Sequence, residues 1–300
     1  MELPPSLASL GDRLADAGEI APHPDWLGSA EVFAAERERI FVRPWIAVDH
    51  QSRLDADHRY FRFDSGGRSV LVTRAEGGAL HALRNVCIHA GYPVCEAEEG
   101  PAERLVCPYH GWEFSTDGRL LEPNLSARID PARLRLGRYG VCVRDGLIFV
   151  DLSGRADPAA SNATVLPAWL SDAVVTRRAR WNTEWNWKEL LQFVRSAALP
   201  VLDAPAAPDA WQPLGPLSFV LAREDRAALL RVIPKFARQT DLQLIELAAA
   251  PPPAASLDEE DGIAELLRRT PAAVLDRAFF AWYWPLLSVS EVSAAGADRP

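Results

Sequence analysis

Two short segments, Cys87-Ile88-His89 and Cys107-Pro108-Tyr109-His110, constrain this 300-residue chain more than any other feature. Seventeen residues separate them. Thiolate and imidazole are the side-chain donors that transition metals favour, and clustered Cys and His point to a metal before any other use. The remaining cysteines, Cys95 and Cys142, make the count four. An even count permits disulfides, but a chain this long and apolar has core enough to fold without them.

Leu83–Val86 leads into the first segment and Arg104–Val106 into the second, so each donor pair falls on a loop between strands. Two centres use such a set. A [2Fe–2S] cluster takes two thiolates on one iron and two neutral imidazoles on the other, which raises its potential above that of an all-Cys cluster. A structural zinc ion takes all four donors at once. The flanks decide against zinc. His89-Ala90-Gly91 and Cys107-Pro108-Tyr109-His110-Gly111-Trp112 set small or rigid residues beside each pair, as loops wrapping a cluster need, and nothing helical surrounds His110.

Hydrophobic residues make up 48% and charged residues 24%, as in ordinary globular domains. A net charge of −9 disfavours nucleic acid, whose backbone needs a basic face. No run approaches the ~18 apolar residues of a membrane span. Residues 1–19 lack a basic stretch followed by an apolar one, so no secretory signal is expected and a cytoplasmic location follows. Lys188 and Lys235 are the only lysines, a bias that reads as coding preference.

The pattern along the chain predicts an α+β protein. Residues 1–40 read as irregular and then helical, with Ser29 capping a helix that runs to Phe41. From Trp45 to Leu152, short β-branched and aromatic runs alternate with turn pairs. Tyr60–Phe63 and Ser69–Thr73 flank Ser65-Gly66-Gly67, and Glu76-Gly77-Gly78 follows. Trp112–Phe114 precedes Asp117-Gly118, and Val141–Arg144 and Leu147–Val150 flank Asp145-Gly146. Asp-Gly between apolar runs is a strong hairpin signal, so this stretch predicts a small antiparallel β domain. Residues 153–168, rich in Ala, Ser and Pro, read as a linker. Beyond them, Trp187–Arg195 predicts a helix, and Ser218–Leu221, Leu229–Ile233 and Leu242–Leu247 predict strands. An acidic helix start is expected at 258–261, and Phe279–Val289 reads as an aromatic strand broken by Pro285.

The text Asn85-Val86-Cys87-Ile88-His89-Ala90-Gly91, the stretch Cys107 to Leu120 and the lead-in Glu31 to Trp45 resemble the alpha subunits of the Rieske non-heme iron oxygenases. The resemblance covers residues ~25–150, with Ala90 where the family usually has Arg. It implies one Rieske [2Fe–2S] cluster held by Cys87, His89, Cys107 and His110. Respiratory Rieske proteins link their two loops by a disulfide; here Tyr109 stands where one of those cysteines would be. Cys95 and Cys142 are then expected to be small buried hydrophobes. The implied organisation is an N-terminal helical segment (1–40), an all-β antiparallel Rieske domain (41–152), a linker (153–168) and a degenerate, truncated helix-grip (START-like) domain (169–300).

Family members also hold a mononuclear iron through two His and one carboxylate. Its marker begins here at Asn186-Trp187-Lys188 and then diverges. Without gaps, the two His positions fall on Leu199 and Ala204 and a bridging acidic position on Ser196. With one extra residue they fall on Pro200, Pro205 and Ala197. No His follows His110. The late helix with the third ligand lies beyond the expected match of Ala281–Pro285. Glu189, Gln192, Asp203 and Asp209 could offer oxygen, but read as solvated surface. The mononuclear iron is therefore expected to be absent, and no catalytic residue is assigned. Trp181, Trp185, Trp187, Phe279, Phe280, Trp282, Tyr283 and Trp284 could line a pocket; core packing is the expected use.

The implied function is an electron-transfer subunit, fed by a reductase or ferredoxin, that relays electrons to a catalytic oxygenase homologue in a trimeric or hetero-oligomeric ring. It would not activate oxygen alone. Two alternatives remain: a ring-hydroxylating or demethylating oxygenase with unconventional iron ligands, and a structural or regulatory subunit whose cluster stabilises the fold.

Overall fold

A computed structural model describes residues 2–16, 19–42, 45–54, 59–101, 103–122, 134–153, 164–202, 204–251, 262–272 and 274–288. Most of the expected linker and the acidic helix start at 258–261 lie outside these residues.

The chain opens on three helices, α1 (Pro5–Ala15), α2 (Asp25–Gly28) and α3 (Ala30–Glu36), with α3 running on into a π-helical turn over Arg37–Phe41. The Ser29 hydroxyl accepts from the amides of Glu31 and Val32, as an N-cap must. Helix α1 was not expected. Its start is set by Pro5 at the first helical position, where a missing N–H costs nothing. Buried Leu7 and Leu10 hold it to the body.

Ten strands follow: β1 (Trp45–His50), β2 (Arg59–Ser65), β3 (Arg68–Arg74), β4 (Leu80–Arg84), β5 (Glu99–Pro101), β6 (Leu105–Val106), β7 (Glu113–Phe114), β8 (Leu120–Glu122), β9 (Arg138–Arg144) and β10 (Leu147–Asp151). Seven form an antiparallel sheet in the order β1-β10-β9-β4-β3-β2-β5, and β6-β7-β8 form a separate small one. The expected hairpins are present. Asp145 (φ 48°) and Gly146 (φ 80°) turn β9 into β10, and Gly66 and Gly67 turn β2 into β3. Left-handed backbone at both central residues matches strand twist, which is why Asp-Gly and Gly-Gly stand there.

The C-terminal half is a five-stranded antiparallel sheet, β11-β17-β16-β15-β14, with β11 (Val174–Thr183), β14 (Gln212–Pro213), β15 (Ser218–Ala222), β16 (Arg226–Phe236) and β17 (Gln239–Ala248). A small hairpin, β12 (Leu199–Val201) with β13 (Ala204–Ala206), follows helix α4 (Trp187–Ser196). Asn186 and Glu189 close a capping box at the start of α4. Helices α5 (Gly262–Arg269) and α6 (Arg277–Ser288) complete the half.

Helix α6 corrects the strand expected at Phe279–Val289. The aromatic content suggested β, but burial follows Phe279, Phe280, Tyr283 and Leu287, a helical spacing that puts them on one face. The sequence Ala281–Pro285 is therefore helix, with Pro285 inside it.

The helices of the N-terminal segment and the C-terminal half share one core. Trp26 meets Phe280 edge-on at 4.9 Å, and Phe41 meets Trp187 at 5.3 Å. A second core joins the two halves, with Trp45, Leu147 and Phe149 against Leu170, Leu229 and Leu247. Polar contacts reinforce this junction. The Arg231 guanidinium donates to the Val48 carbonyl, and Asp49 pairs with both Arg53 and Arg178. The His50 ring lies 2.8 Å from the Leu170 carbonyl.

Candidate metal centre

The first donor loop runs from Asn85 between β4 and β5, and the second spans Cys107–Trp112 between β6 and β7. Both fold by the same backbone rule. In the first, the Cys87 amide donates to the Tyr92 carbonyl and the Gly91 amide to the Cys87 carbonyl. In the second, the Cys107 amide donates to the Trp112 carbonyl and the Gly111 amide to the Cys107 carbonyl. Gly91 (φ 74°) and Gly111 (φ 70°) occupy matching left-handed positions, where a side chain would strain the turn.

The loops bring the expected donors together in pairs, His89 beside His110 and Cys87 beside Cys107. Cys87 and Cys107 are buried at 3% and 1% exposure, in a core with Tyr60, Leu105 and Phe114. His89 and His110 are exposed at the tip, ring centroids 4.6 Å apart. Trp112 stacks on His89 at 4.6 Å and 8°. Tyr109 lies 3.9 Å from His110 and stacks on Tyr92 at 5.2 Å, so aromatic contact crosses from one loop to the other. Burial pushes the Cys87 thiol up, while the His89 and Ala90 amides, both bonded to it, pull it down.

The donor set fits a binuclear cluster. Thiols lie inside and imidazoles outside, as two pairs, and backbone N–H groups already point at a sulfur. Among the described residues, no three or more His, Cys, Asp or Glu side chains gather as the shell of a single ion. Cys95 and Cys142 are free thiols. Cys95 is buried beside Tyr60, and burial pushes its thiol to about 11. Cys142 is half-buried on β9.

At the positions the resemblance implies for a second iron, the side chains are apolar or alcoholic. Leu199 is fully buried on β12, Ala204 and Pro205 lie on β13, and Ser196 ends α4. Glu189 is committed to the capping box, its carboxylate accepting from the Asn186 amide at 2.8 Å. Asp203 lies outside the described residues. Of the C-terminal aromatics, Trp187, Phe279, Phe280 and Tyr283 are core, while Trp181 and Trp185 line a groove of about 440 Å³ with Arg180, Leu267 and Arg268.

Two features were not legible from sequence. Glu36, fully buried, accepts from Lys188 Nζ (2.5 Å), Tyr283 Oη (2.5 Å) and Trp187 Nε1 (2.7 Å). Asn85, also buried, starts the first loop and bonds to its returning limb at Val94 and Cys95. Only Lys188, a lone charge after a Trp on an apolar helix face, hinted at the first.

Comparison with known proteins matches the region that holds both donor loops. The family model "Rieske [2Fe-2S] domain" matches residues 44–131. The oxygenase subunit of glycine betaine monooxygenase from Chromohalobacter salexigens is 27% identical over 198 residues, 62% of this chain and 44% of that one. The alpha subunit of N,N-dimethyl phenylurea N-demethylase from Sphingobium sp. is 32% identical over 150 residues, 48% of this chain and 32% of that one. The chain thus spans less than half the length of these curated relatives. In structure, the quaternary ammonium Rieske monooxygenase CntA superposes with a TM-score of 0.66 at 20% identity, covering 90% of this chain and 84% of that one. No helix among the described residues is long and apolar enough to cross a membrane. Residues 44–131 are therefore a Rieske [2Fe–2S] domain, in a chain homologous to the alpha subunits of the Rieske oxygenases.

Proposed function

We propose that Cys87, His89, Cys107 and His110 hold one [2Fe–2S] cluster, and that this chain relays single electrons to an iron site in a partner alpha-type subunit. Bound there, such a cluster supplies one-electron redox chemistry. The buried thiolates would hold the inner iron away from water. The exposed His89 and His110 would place the outer iron's imidazoles at the surface, where a donor and an acceptor protein can approach. A reductase or ferredoxin is the donor chemistry that fits, in a cytoplasmic setting.

The observation that carries the relay reading is the contrast between the halves. Two Cys and two His lie on the paired loops at one end, whereas Leu199 and Ala204 stand at the two His positions, and Ser196 at the bridging acidic position, that the resemblance implies beside a mononuclear iron. Residues of that kind do not fit an iron ion, whose preferred ligands are imidazole and carboxylate. A second reading draws on the relatives, which are oxygenase components: the chain itself oxygenates a substrate at a site built from other ligands.

One experiment separates them. The chain is purified alone, iron and sulfide are counted, and turnover is measured with a reductase, with and without an alpha-type homologue. The relay reading expects about two irons per chain and oxygenation only with the homologue. A third iron together with hydroxylation or demethylation by this chain and a reductase alone overturns it in favour of the second reading. A chain that retains its cluster but never alters the homologue's turnover leaves the cluster a structural role.

A further inference from the structure

The two donor loops share their internal hydrogen bonds but not their anchorage. The second loop sits on a hairpin: Leu105 pairs with Phe114 and Val106 with Glu113, so strand pairing closes it at both limbs. The first loop leaves β4 and returns through Val94 and Cys95, which belong to no strand. A disulfide does not close it either, since Cys95 is a free thiol.

Asn85 takes the place of that pairing. Its Oδ1 accepts from the amides of Val94 and Cys95, both at 2.9 Å. Its Nδ2 donates to the Cys95 carbonyl at 2.8 Å and to Ser69 Oγ at 3.2 Å. A primary amide offers one doubly accepting oxygen and two donor hydrogens, so every capacity is used. The arrangement also fixes the amide's orientation, because a flip would set N–H against N–H at two sites. The residue is 1% exposed, so nothing from solvent replaces a lost partner.

We propose that Asn85 is a positioning residue that fixes the first cluster loop, holding Cys87 and His89 in register with Cys107 and His110. This rests on the ligand assignment above, and its test is arranged to fail separately. Asn85→Ala, Asn85→Asp and, as a control, Thr73→Val are loaded with iron and sulfide. Thr73 donates a buried hydrogen bond to the Thr116 carbonyl, away from the loop limbs. Cluster bleaching in air, the electron paramagnetic resonance spectrum of the reduced protein and amide hydrogen exchange of the cluster-free chain are read.

Asn85→Ala should bleach about tenfold faster, with altered resonance lines and loss of exchange protection at Val94 and Cys95 but not at Leu105 and Cys107. Thr73→Val should bleach within about twofold of the parent chain. Asn85→Asp keeps the two acceptor bonds but sets a carboxylate oxygen against the Cys95 carbonyl, so it should regain only part of the lifetime, while its negative charge lowers the reduction potential. Parental lifetime and spectrum in Asn85→Ala overturn the proposal, as does equally fast bleaching in Thr73→Val. If the parent chain takes up no cluster, the ligand assignment falls, and exchange still decides Asn85: unchanged protection at Val94 and Cys95 in Asn85→Ala refutes it.

Discussion

Replacing Glu36 by Leu removes a buried carboxylate that three side chains share, while roughly conserving volume. Lys188 loses its counter-ion; breaking a buried pair from one side costs about 3–5 kcal/mol. Trp187 Nε1 and Tyr283 Oη lose their acceptor, and each buried donor left alone costs about 1–3 kcal/mol. All four residues are fully buried, so water does not compensate. Burial already pulls the Lys188 ammonium below its ordinary range, with Glu36 opposing that shift. The ammonium therefore sheds its proton to escape part of the cost. Taking the lower bound of each contribution gives about 5 kcal/mol. The double variant Glu36→Leu, Lys188→Met removes the stranded charge and should recover about 3 kcal/mol of that. Urea unfolding of the cluster-free chain, followed by tryptophan fluorescence, measures both. The single variant should lower the midpoint by about 2 M, using a slope typical of a chain this size. A loss below about 1 kcal/mol for the single variant, or a double variant no more stable than the single, refutes the reasoning.

Two further predictions concern the junction between the halves. A Cβ on Gly146 (φ 80°) would lie 2.4 Å from His50 Nε2 and 2.6 Å from the Leu170 carbonyl, so Gly146→Ala should cost about 3 kcal/mol in urea unfolding. Gly77→Ala, at the same φ but with nothing within 4 Å, should cost about 1–2 kcal/mol; equal losses would show that the contact is immaterial. Burial lowers the His50 pKa from its ordinary 6.5, with the Leu170 carbonyl and Asp49 opposing and Arg178 assisting. The unfolded chain then binds the proton first, so this contribution to stability is present above pH 6.5 and is lost as pH falls towards the folded value. Stability measured from about pH 7 to about pH 5 should fall less steeply in His50→Gln than in the parent chain; an unchanged slope refutes the assignment.

The Rieske half was legible because its signals are local. Asp145-Gly146 and Gly66-Gly67 dictate turns by backbone conformation, and the donor loops carry their own glycines. The strands β15, β16 and β17 were legible from apolar runs. Strand β11 was not, because an edge strand carrying Arg177, Arg178 and Arg180 lacks an apolar signature. Helix α6 was misread because its aromatics favour strands by propensity, and burial of one face overrode that preference. Asn85 and Glu36 were invisible for another reason. Their partners are fixed by tertiary approach, 9–16 residues away for Asn85 and 151–247 residues away for Glu36. No spacing rule reaches across such separations.

The shared core of α1–α3 and α6 bears on how the chain is made. The ribosome releases Trp26, Glu36 and Phe41 well before their partners Phe280, Tyr283 and Trp187. Glu36 and Tyr283 are 247 residues apart, and at ~5–20 residues per second that interval lasts roughly 12–50 s. Through that time the Rieske domain can close on local contacts, whereas the opening helices carry an apolar face with nothing to cover it. A segment made early thus settles late, once its distant partners have emerged. Slowing translation just before the codons for Arg277–Ser288 should then trap a chain whose Rieske half is complete and whose helices α1–α3 are bound by chaperones.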